Sequence, residues 1–213
     1  MKKLNMILAA LAVLMACCLL TGCTSKQDTN STAGQAQEPA KIDATTLVTD
    51  TYADIEIEGY GTITVALDKT SAPITVENFV KLAESGFYDG LTFHRIMKDF
   101  MMQGGDPNGN GTGGSDETIE GEFAQNGHKN PLSHTRGAIS MARAMDYDSG
   151  SSQFFIVHQD STFLDGAYAA FGYVTEGIEI VDQICEEAQP TDNNGTITAE
   201  EQPVIKTITI RSN

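Results

Sequence analysis

Short runs in which apolar and polar residues alternate fill the chain from about Tyr52 onward, and they restrict the fold more than any other feature of the sequence. Two such runs, 55–57 and 63–67, stand on either side of a Gly-Tyr-Gly segment at 59–61 and predict two strands joined by a short turn. Further runs of this kind lie at 138–142, 153–158, 169–174 and 204–211. So many short strands predict one closed, mostly antiparallel sheet.

Two other segments carry apolar residues at helical spacing. The first spans residues 73 to 85, with Thr75 as the predicted N-cap and Gly86 as the residue that ends the helix. The second spans residues 177 to 187 and places Cys185 on its apolar side, where a small core residue is expected. We therefore expect two helices that cap the sheet.

The N-terminus has the layout of a secretory signal. Two lysines precede an uncharged run from Met6 to Leu20, and the segment Leu20-Thr21-Gly22-Cys23 that follows resembles a bacterial lipoprotein box. The resemblance implies that residues 1–22 are removed and that Cys23 becomes an acylated N-terminus. Two alternatives remain open. One is an uncleaved membrane helix, for which about 15 to 17 apolar residues is short, and the other is ordinary cleavage that leaves Cys23 unmodified.

Residues 23–46 are predicted to form a flexible tether, because they are rich in Ser, Thr, Gln and Ala and too poor in apolar residues to fold. Residues 47–213 then form a single folded domain. Signal, lipid and tether together predict a domain anchored at the extracytoplasmic face of the cell membrane.

The composition is strongly acidic, with 13 Lys+Arg against 29 Asp+Glu and a formal net charge of −16. Loss of residues 1–22 removes two lysines and no acid, so the mature charge becomes −18. Such a surface is not that of a nucleic-acid-binding protein, which needs a basic patch. It favours solubility and weak attraction to cationic chains.

Several motifs predict no chemistry of their own. The Gly-rich run 109–114 follows a proline and opens no apolar helix, so it is a surface loop and not a dinucleotide site. Residues 192–201 have the spacing of part of a calcium loop, but Pro190 occupies the first ligand position. The four histidines are too scattered for a zinc motif, and Asp146 and Asp148 are predicted to form a turn. We expect no metal and no nucleophilic serine or cysteine.

Three runs in order carry the strongest signal. They read FHRIMKDFMMQGGD at 93–106, GAISMARA at 137–144 and GSSQFFIVHQDSTFLDGAYAAFG at 150–172. Together they resemble the cyclophilin family of peptidyl-prolyl cis-trans isomerases. The similarity extends from about residue 53 to 211 and includes APITVENF at 72–79 and NGTGG at 110–114. It implies a closed antiparallel eight-stranded β-barrel capped by two α-helices, a monomeric domain and no cofactor.

The resemblance also implies roles for individual residues. Arg95 would be the catalytic donor, and Gln103 would position it and bind the substrate backbone. The predicted substrate-binding residues are Phe100, Met101, Gly111, Ala142, Arg143, Ala144, Gln153, Phe155, Phe163, Leu164 and Tyr168. Among these, four apolar side chains would grip the proline ring (Phe100, Met101, Phe155 and Leu164). Gly111, Ala144 and Gln153 would flank a neighbouring pocket for the residue before the proline.

An arginine suits this chemistry for a physical reason. Rotation about an X-Pro bond must cross about 18 to 20 kcal/mol because it breaks amide resonance. The twisted amide has a pyramidal nitrogen with a lone pair, so a donor aimed at that nitrogen lowers the barrier. Arginine stays charged and holds its donors in a rigid fork. No proton transfer and no cofactor are needed.

The sequence departs from well-studied eukaryotic members of the family at three positions. They carry Trp, His and Asn where Phe163, Tyr168 and Arg143 stand here. Because the Trp ring supplies a hydrogen-bond donor and a large contact area, we expect weak cyclosporin binding. The residues assigned to catalysis are retained, so isomerase activity is expected.

The leading hypothesis is an isomerase that accelerates the folding of exported proteins by acting on their proline-containing unfolded or flexible segments. The alternative is a proline-segment binding module, chaperone or tether with incidental turnover. Retention of Arg95 favours the enzyme, since a simple proline pocket needs no guanidinium. A surface adhesin is a third reading and rests only on the predicted anchor and tether.

Overall fold

The computed structural model of the chain describes residues 42–212. The predicted signal peptide, Cys23 and most of the predicted tether lie outside these residues. Within the described range, no helix is both long and apolar enough to cross a membrane.

Eight strands and two α-helices make up the described part of the domain, the numbers that the family resemblance implies. The strands are β1 (Thr51–Ile57), β2 (Gly61–Leu67), β3 (Thr92–Met97), β4 (Met101–Asp106), β5 (Ala138–Met141), β6 (Phe154–Val157), β7 (Ala169–Glu176) and β8 (Ile205–Ser212). The helices are α1 (Pro73–Glu84) and α2 (Ile178–Glu187), and single 3-10 turns lie at Ala124–Asn126, Thr162–Leu164 and Ala199–Glu201.

All strand pairs are antiparallel, and the strands form one sheet in the order β3-β4-β6-β5-β7-β2-β1-β8. The main core lies between this curled sheet and the helices and includes Ile55, Val65, Phe79, Phe154 and Val181. A second, smaller cluster of buried side chains, around Met101, Phe155 and Tyr173, lies apart from the main core.

The predicted closure of the barrel is not confirmed. The two end strands, β3 and β8, share no ladder and meet only near their ends, where Ile205 N donates to Leu91 O at 2.7 Å. The edge of β3 is instead covered by the loop after α2, since Ile96 N donates to Gly195 O at 2.8 Å and Ile197 N donates to His94 O at 3.0 Å. This loop occupies the hydrogen-bonding groups that β8 would need to close the sheet.

The first helix begins differently from the prediction. Its N-cap residue is Ala72, with Pro73 in the first turn, and Thr75 is not the cap. The carboxylate of Glu122 takes over that task, accepting from Ile74 N at 3.0 Å and Thr75 N at 2.7 Å. The prediction for the end of the helix is confirmed: Gly86 has a φ of +73° and follows the C-cap residue directly.

The predicted tether touches the domain at its C-terminal end. Ile42 forms a parallel bridge with Leu132, and the Tyr173 hydroxyl donates to Ile42 O at 2.6 Å. Leu47 packs against the second cluster. The chain therefore contacts the domain from at least Ile42, five residues before the predicted boundary.

Candidate active site

Strand pairing brings the predicted catalytic residues to one surface. On β3, Phe93, His94 and Ile96 are buried, and the irregular pairing between Phe93 and Arg95 leaves Arg95 partly exposed beside the groove. On β4, Met102 enters the core while Met101 and Gln103 face the groove. Arg95 and Gln103 are direct cross-strand partners, and the next strand, β6, adds Phe155 opposite Gln103. The groove therefore crosses three neighbouring strands.

The guanidinium of Arg95 is held from several sides. Its Nε donates to the backbone oxygen of Asn194 at 2.7 Å, and one terminal nitrogen donates to Gln103 Oε1 at 3.2 Å. The other terminal nitrogen lies 3.1 Å from the sulfur of Met97. Burial lowers the pKa of Arg95 below its usual value, and the nearby Tyr168 and Asp192 offset only part of this effect. The nitrogen bonded to Gln103 also lies 3.6 Å from the sulfur of Met101. These four contacts fix the plane of the guanidinium and leave one of its five N–H groups for a substrate.

A row of amide side chains continues from Arg95 along the groove. Gln103 accepts from Arg95 and donates from Nε2 to Gln153 Oε1 at 2.9 Å. Gln153 in turn donates from Nε2 to the backbone oxygen of Gly113 at 2.7 Å. The side-chain amides of Gln103 and Gln153 each accept one hydrogen bond and donate another. This row orients Gln103 toward Arg95 and connects both residues to the Gly-rich loop.

Beside Arg95 lies a cavity of about 190 Å³. Nine of the predicted residues line it: Arg95, Phe100, Met101, Gln103, Ala142, Arg143, Phe155, Leu164 and Tyr168. Its floor is apolar because Met101 and Phe155 belong to the second hydrophobic cluster. Phe163 does not line this cavity. It is 73% exposed and stacks on Phe100 with ring centres 5.7 Å apart.

A second cavity of about 340 Å³ adjoins the first and shares Gln103, Ala142 and Arg143 with it. The second cavity is lined by Gly111, Ala144 and Gln153, which the family resemblance places around the pocket for the residue before the proline. Sequence reasoning did not assign Thr112, Gly113, Gly114, Ser149 or Ser151, which complete its wall. The run NGTGG was noted, but only the fold shows that most of it faces a cavity.

The Gly-rich loop is held by a buried carboxylate. Asp106 accepts from the backbone N–H groups of Asn108 at 2.8 Å, Asn110 at 3.0 Å and Gly111 at 2.5 Å. Burial opposes ionisation, but these three donors and His94 together hold the pKa of Asp106 below its usual value. The loop therefore has a defined shape next to the groove.

The Asn194 carbonyl is a part of the site that sequence reasoning missed. The segment around it was noted only as an incomplete calcium loop. In the structure Asp192 accepts from Asn194 N at 2.9 Å and Thr196 N at 3.0 Å, which closes the turn that presents the carbonyl to Arg95. No group of three or more His, Cys, Asp or Glu side chains in residues 42–212 is arranged to hold a metal ion.

The site thus combines a fixed cationic donor with a cavity that has an apolar floor and room for a small ring, and with a second cavity next to it. Such a site can bind a chain with an apolar cyclic residue and direct an N–H group at an atom beside that ring. This is the chemistry that amide rotation next to a proline requires.

The comparisons with known proteins agree on one family. The sequence model of the family described as cyclophilin-type peptidyl-prolyl cis-trans isomerase matches residues 52–212. Peptidyl-prolyl cis-trans isomerase B of Bacillus subtilis is 53% identical over 109 residues, which are 51% of this chain and 73% of that protein. A peptidyl-prolyl cis-trans isomerase of Helicobacter pylori is 46% identical over 135 residues, which are 62% of this chain and 80% of that protein.

A solved structure is similar over nearly its whole length. The cyclophilin-type peptidyl-prolyl cis-trans isomerase of Cryptosporidium parvum, crystallised in the presence of the dipeptide Ala-Pro, aligns with a TM-score of 0.67 and 31% sequence identity. The alignment covers 76% of this chain and 99% of that one.

Proposed function

The chain belongs to the cyclophilin-type peptidyl-prolyl cis-trans isomerase family, and on that basis we propose that it isomerises X-Pro bonds in exported polypeptides at the outer face of the cell membrane. Isomerase activity follows from the family and its curated members. The nature of the clients and the location are our proposals.

Arg95 is the proposed catalytic residue. The proline ring would occupy the cavity beside Arg95, and the N–H group of the guanidinium that has no other contact would donate to the proline nitrogen as it becomes pyramidal. The contacts to Asn194 and Gln103 hold the guanidinium before the substrate arrives, so little reorganisation is needed during the reaction. The observation that supports this assignment is the position of Arg95 on the wall of that cavity.

Proline-containing polypeptides that are unfolded or flexible are the proposed substrates. The Cryptosporidium relative crystallised in the presence of Ala-Pro supports this proposal. Uncatalysed isomerisation takes tens to hundreds of seconds, which is slow enough to limit folding after export. An isomerase placed where exported chains emerge would shorten their exposure to proteolysis.

The test is a cis-trans isomerisation assay on the full-length protein and its Arg95→Ala variant, with Arg95→Lys as the matched control. We expect kcat/KM to fall by about 10² in the Ala variant, near 3 kcal/mol. The Lys variant should be intermediate, because Lys keeps the charge and loses the fork. A folded wild-type protein that binds proline peptides without turnover would favour the binding-module alternative.

The location rests on the N-terminal sequence alone. We propose that Cys23 carries lipid and that the following segment holds the domain away from the bilayer. Growth with labelled palmitate should label the wild-type protein in the membrane fraction. A Cys23→Ser variant that remains equally labelled would contradict the proposal.

Weak cyclosporin binding is proposed for the same site. Phe163 supplies no hydrogen-bond donor, and its ring lies on the outer side of Phe100 and does not line the proline cavity. A nanomolar dissociation constant measured by calorimetry would overturn this expectation.

A further inference from the structure

Arg143 occupies the wall shared by the two cavities of the groove. It is partly exposed and lies two residues after the end of β5. It is the only charged residue among those lining the second cavity, and in the proline cavity the only other one is Arg95. In a protein with a formal net charge of −16, the charged side chains among the described residues that line these two cavities are therefore both positive.

Aromatic rings hold the Arg143 guanidinium in place. Its central carbon lies 4.7 Å from the ring centre of Tyr168, 4.9 Å from that of Tyr147 and 5.1 Å from that of Phe123. Its Nε and one terminal nitrogen donate to the backbone oxygen of Ala167 at 3.0 and 2.8 Å. The charge is thus fixed in direction by stacking and by neutral acceptors.

No carboxylate within residues 42–212 lies at ion-pair distance from Arg143. The carboxylates near it have other partners. Glu120 lies 2.9 Å from His128 Nε2, and Asp148 accepts from Gly121 N at 3.0 Å and Asn126 Nδ2 at 2.8 Å. Asp146 accepts from the backbone N–H of Asp148 at 3.0 Å. Within residues 42–212, Arg143 therefore keeps its charge without an ion-pair partner.

We propose that Arg143 makes the enzyme prefer a substrate with a carboxylate side chain directly before the proline. The inference rests on the proposed isomerisation at this groove, and it names the substrate class of that site. The family resemblance assigns the second cavity to the residue before the proline. Arg143 lines both cavities, and its other terminal nitrogen donates to the backbone oxygen of Ala144, a residue of the second cavity, at 2.9 Å. A substrate carboxylate placed there gains a fixed, preorganised counter-charge.

The test uses three otherwise identical peptides that carry Glu, Gln or Lys directly before the proline, with kcat/KM corrected for each uncatalysed rate. Glu and Gln have the same shape, so their ratio reports charge. We expect the full-length wild-type protein to prefer Glu over Gln by about threefold to fivefold, the range of a partly exposed ion pair. Lys should be the poorest substrate because of like-charge repulsion.

Two variants assign the preference to Arg143. In Arg143→Gln the ratio of Glu to Gln should fall to about one, whereas Arg143→Lys should keep part of the preference. Taking the ratio within each variant cancels any general loss of activity. A salt series on the wild-type protein is a measurement that does not depend on the folding of a variant. Its Glu preference should shrink as ionic strength rises from about 0.01 to 1 M, because the Debye length falls from about 30 to 3 Å.

Equal kcat/KM for the three peptides in the wild-type protein would overturn the inference while leaving the isomerase function intact. A Glu preference that survives unchanged in Arg143→Gln, or that does not respond to salt, would also overturn it. Absence of turnover for all three peptides would instead refute the proposed function from which the inference starts.

Discussion

Among the non-glycine residues of the range 42–212, Asp99 alone has a left-handed backbone, with a φ of +63°. Such a conformation costs of order 1 to 3 kcal/mol unless the surroundings hold it. The backbone N–H of Asp99 donates to the ring Nδ1 of His158 at 2.9 Å, and the backbone N–H of His158 donates to the backbone oxygen of Phe100 at 2.9 Å. His158 therefore positions the turn that carries Phe100 into the proline cavity.

We predict that His158→Leu lowers kcat/KM by about threefold to tenfold, mostly by raising KM. The apolar contact between Phe100 and the proline ring stabilises the ground state and the transition state equally, so its loss changes KM more than kcat. Adding Asp99→Gly should recover most of the loss, because glycine adopts the left-handed conformation without a Cβ penalty. Steady-state kinetics of the wild-type, two single and double variants test this.

The double variant shows whether His158 acts through the turn at Asp99 or by another route. If it is as impaired as His158→Leu alone, the effect of His158 does not pass through the turn at Asp99. A general loss of stability would lower kcat and the unfolding midpoint together, which the same proteins reveal in urea.

At the scale of elements, the sequence predicts the positions of the helices and of most strands, because these positions depend on the local spacing of apolar residues. The two helices and the strands after residue 130 fall within about two residues of their predicted bounds, because each pattern of burial repeats within one element. The start of α1 was assigned to the wrong cap, because its acceptor, Glu122, lies 48 residues further along the chain than Ile74. Local spacing holds no signal for a cap supplied by a distant loop.

The buried cap leads to a prediction about stability. Glu122 is 3% exposed and accepts two backbone N–H groups and the Thr75 hydroxyl, the last at 2.7 Å. Glu122→Ala should lower the free energy of unfolding by about 2 kcal/mol, since it leaves buried donors without partners. Glu122→Gln should lose about half of that, because it keeps one accepting oxygen. Urea unfolding measures both.

Glu117→Ala is the matched control for the cap. Glu117 forms an ion pair at 2.8 Å with Lys81 of α1, but the side chain of Glu117 is 75% exposed. We expect no measurable shift of its urea midpoint. A Glu122→Ala variant as stable as this control would show that water replaces the carboxylate at the start of α1.

At the scale of the whole molecule, Asp182 joins three parts of the chain. From α2 it accepts two hydrogen bonds from Arg136, each 2.7 Å long, and it lies 3.2 Å from His158 Nε2. The hydrogen bonds from Arg136 are the largest cause that holds the pKa of Asp182 below its usual value. Arg136 precedes β5 and His158 follows β6, so the contacts of Asp182 with these two residues hold α2 against the sheet.

A lowered pKa in the folded state has a definite sign for stability. The Asp182 carboxylate stabilises the fold above its unfolded pKa, about 3.9, and this contribution is lost as the pH falls through the lower folded pKa. We therefore predict that Asp182→Asn lowers the free energy of unfolding at pH 7 and that the difference from wild type shrinks below about pH 4. Urea unfolding at a series of pH values tests this; a difference that stays constant down to about pH 2 would contradict it.

The sequence by itself determined the family, through motifs that each span a short stretch of the chain. Local periodicity predicted six of the strands and both helices, and the family resemblance supplied the other two strands and the predicted site residues. Nine predicted site residues line one cavity. Cross-strand pairing places four of them, Arg95, Met101, Gln103 and Phe155, side by side, and the other five come from the loops and turns between elements.

Only the tertiary structure decided how those residues are supported. It leaves the sheet open between β3 and β8, because the loop that follows α2 covers the edge of β3. The same loop brings the Asn194 carbonyl to Arg95, and rings from separate segments enclose Arg143. Such contacts join residues far apart in the chain, so they depend on the path of the whole backbone and leave no periodic pattern in the sequence.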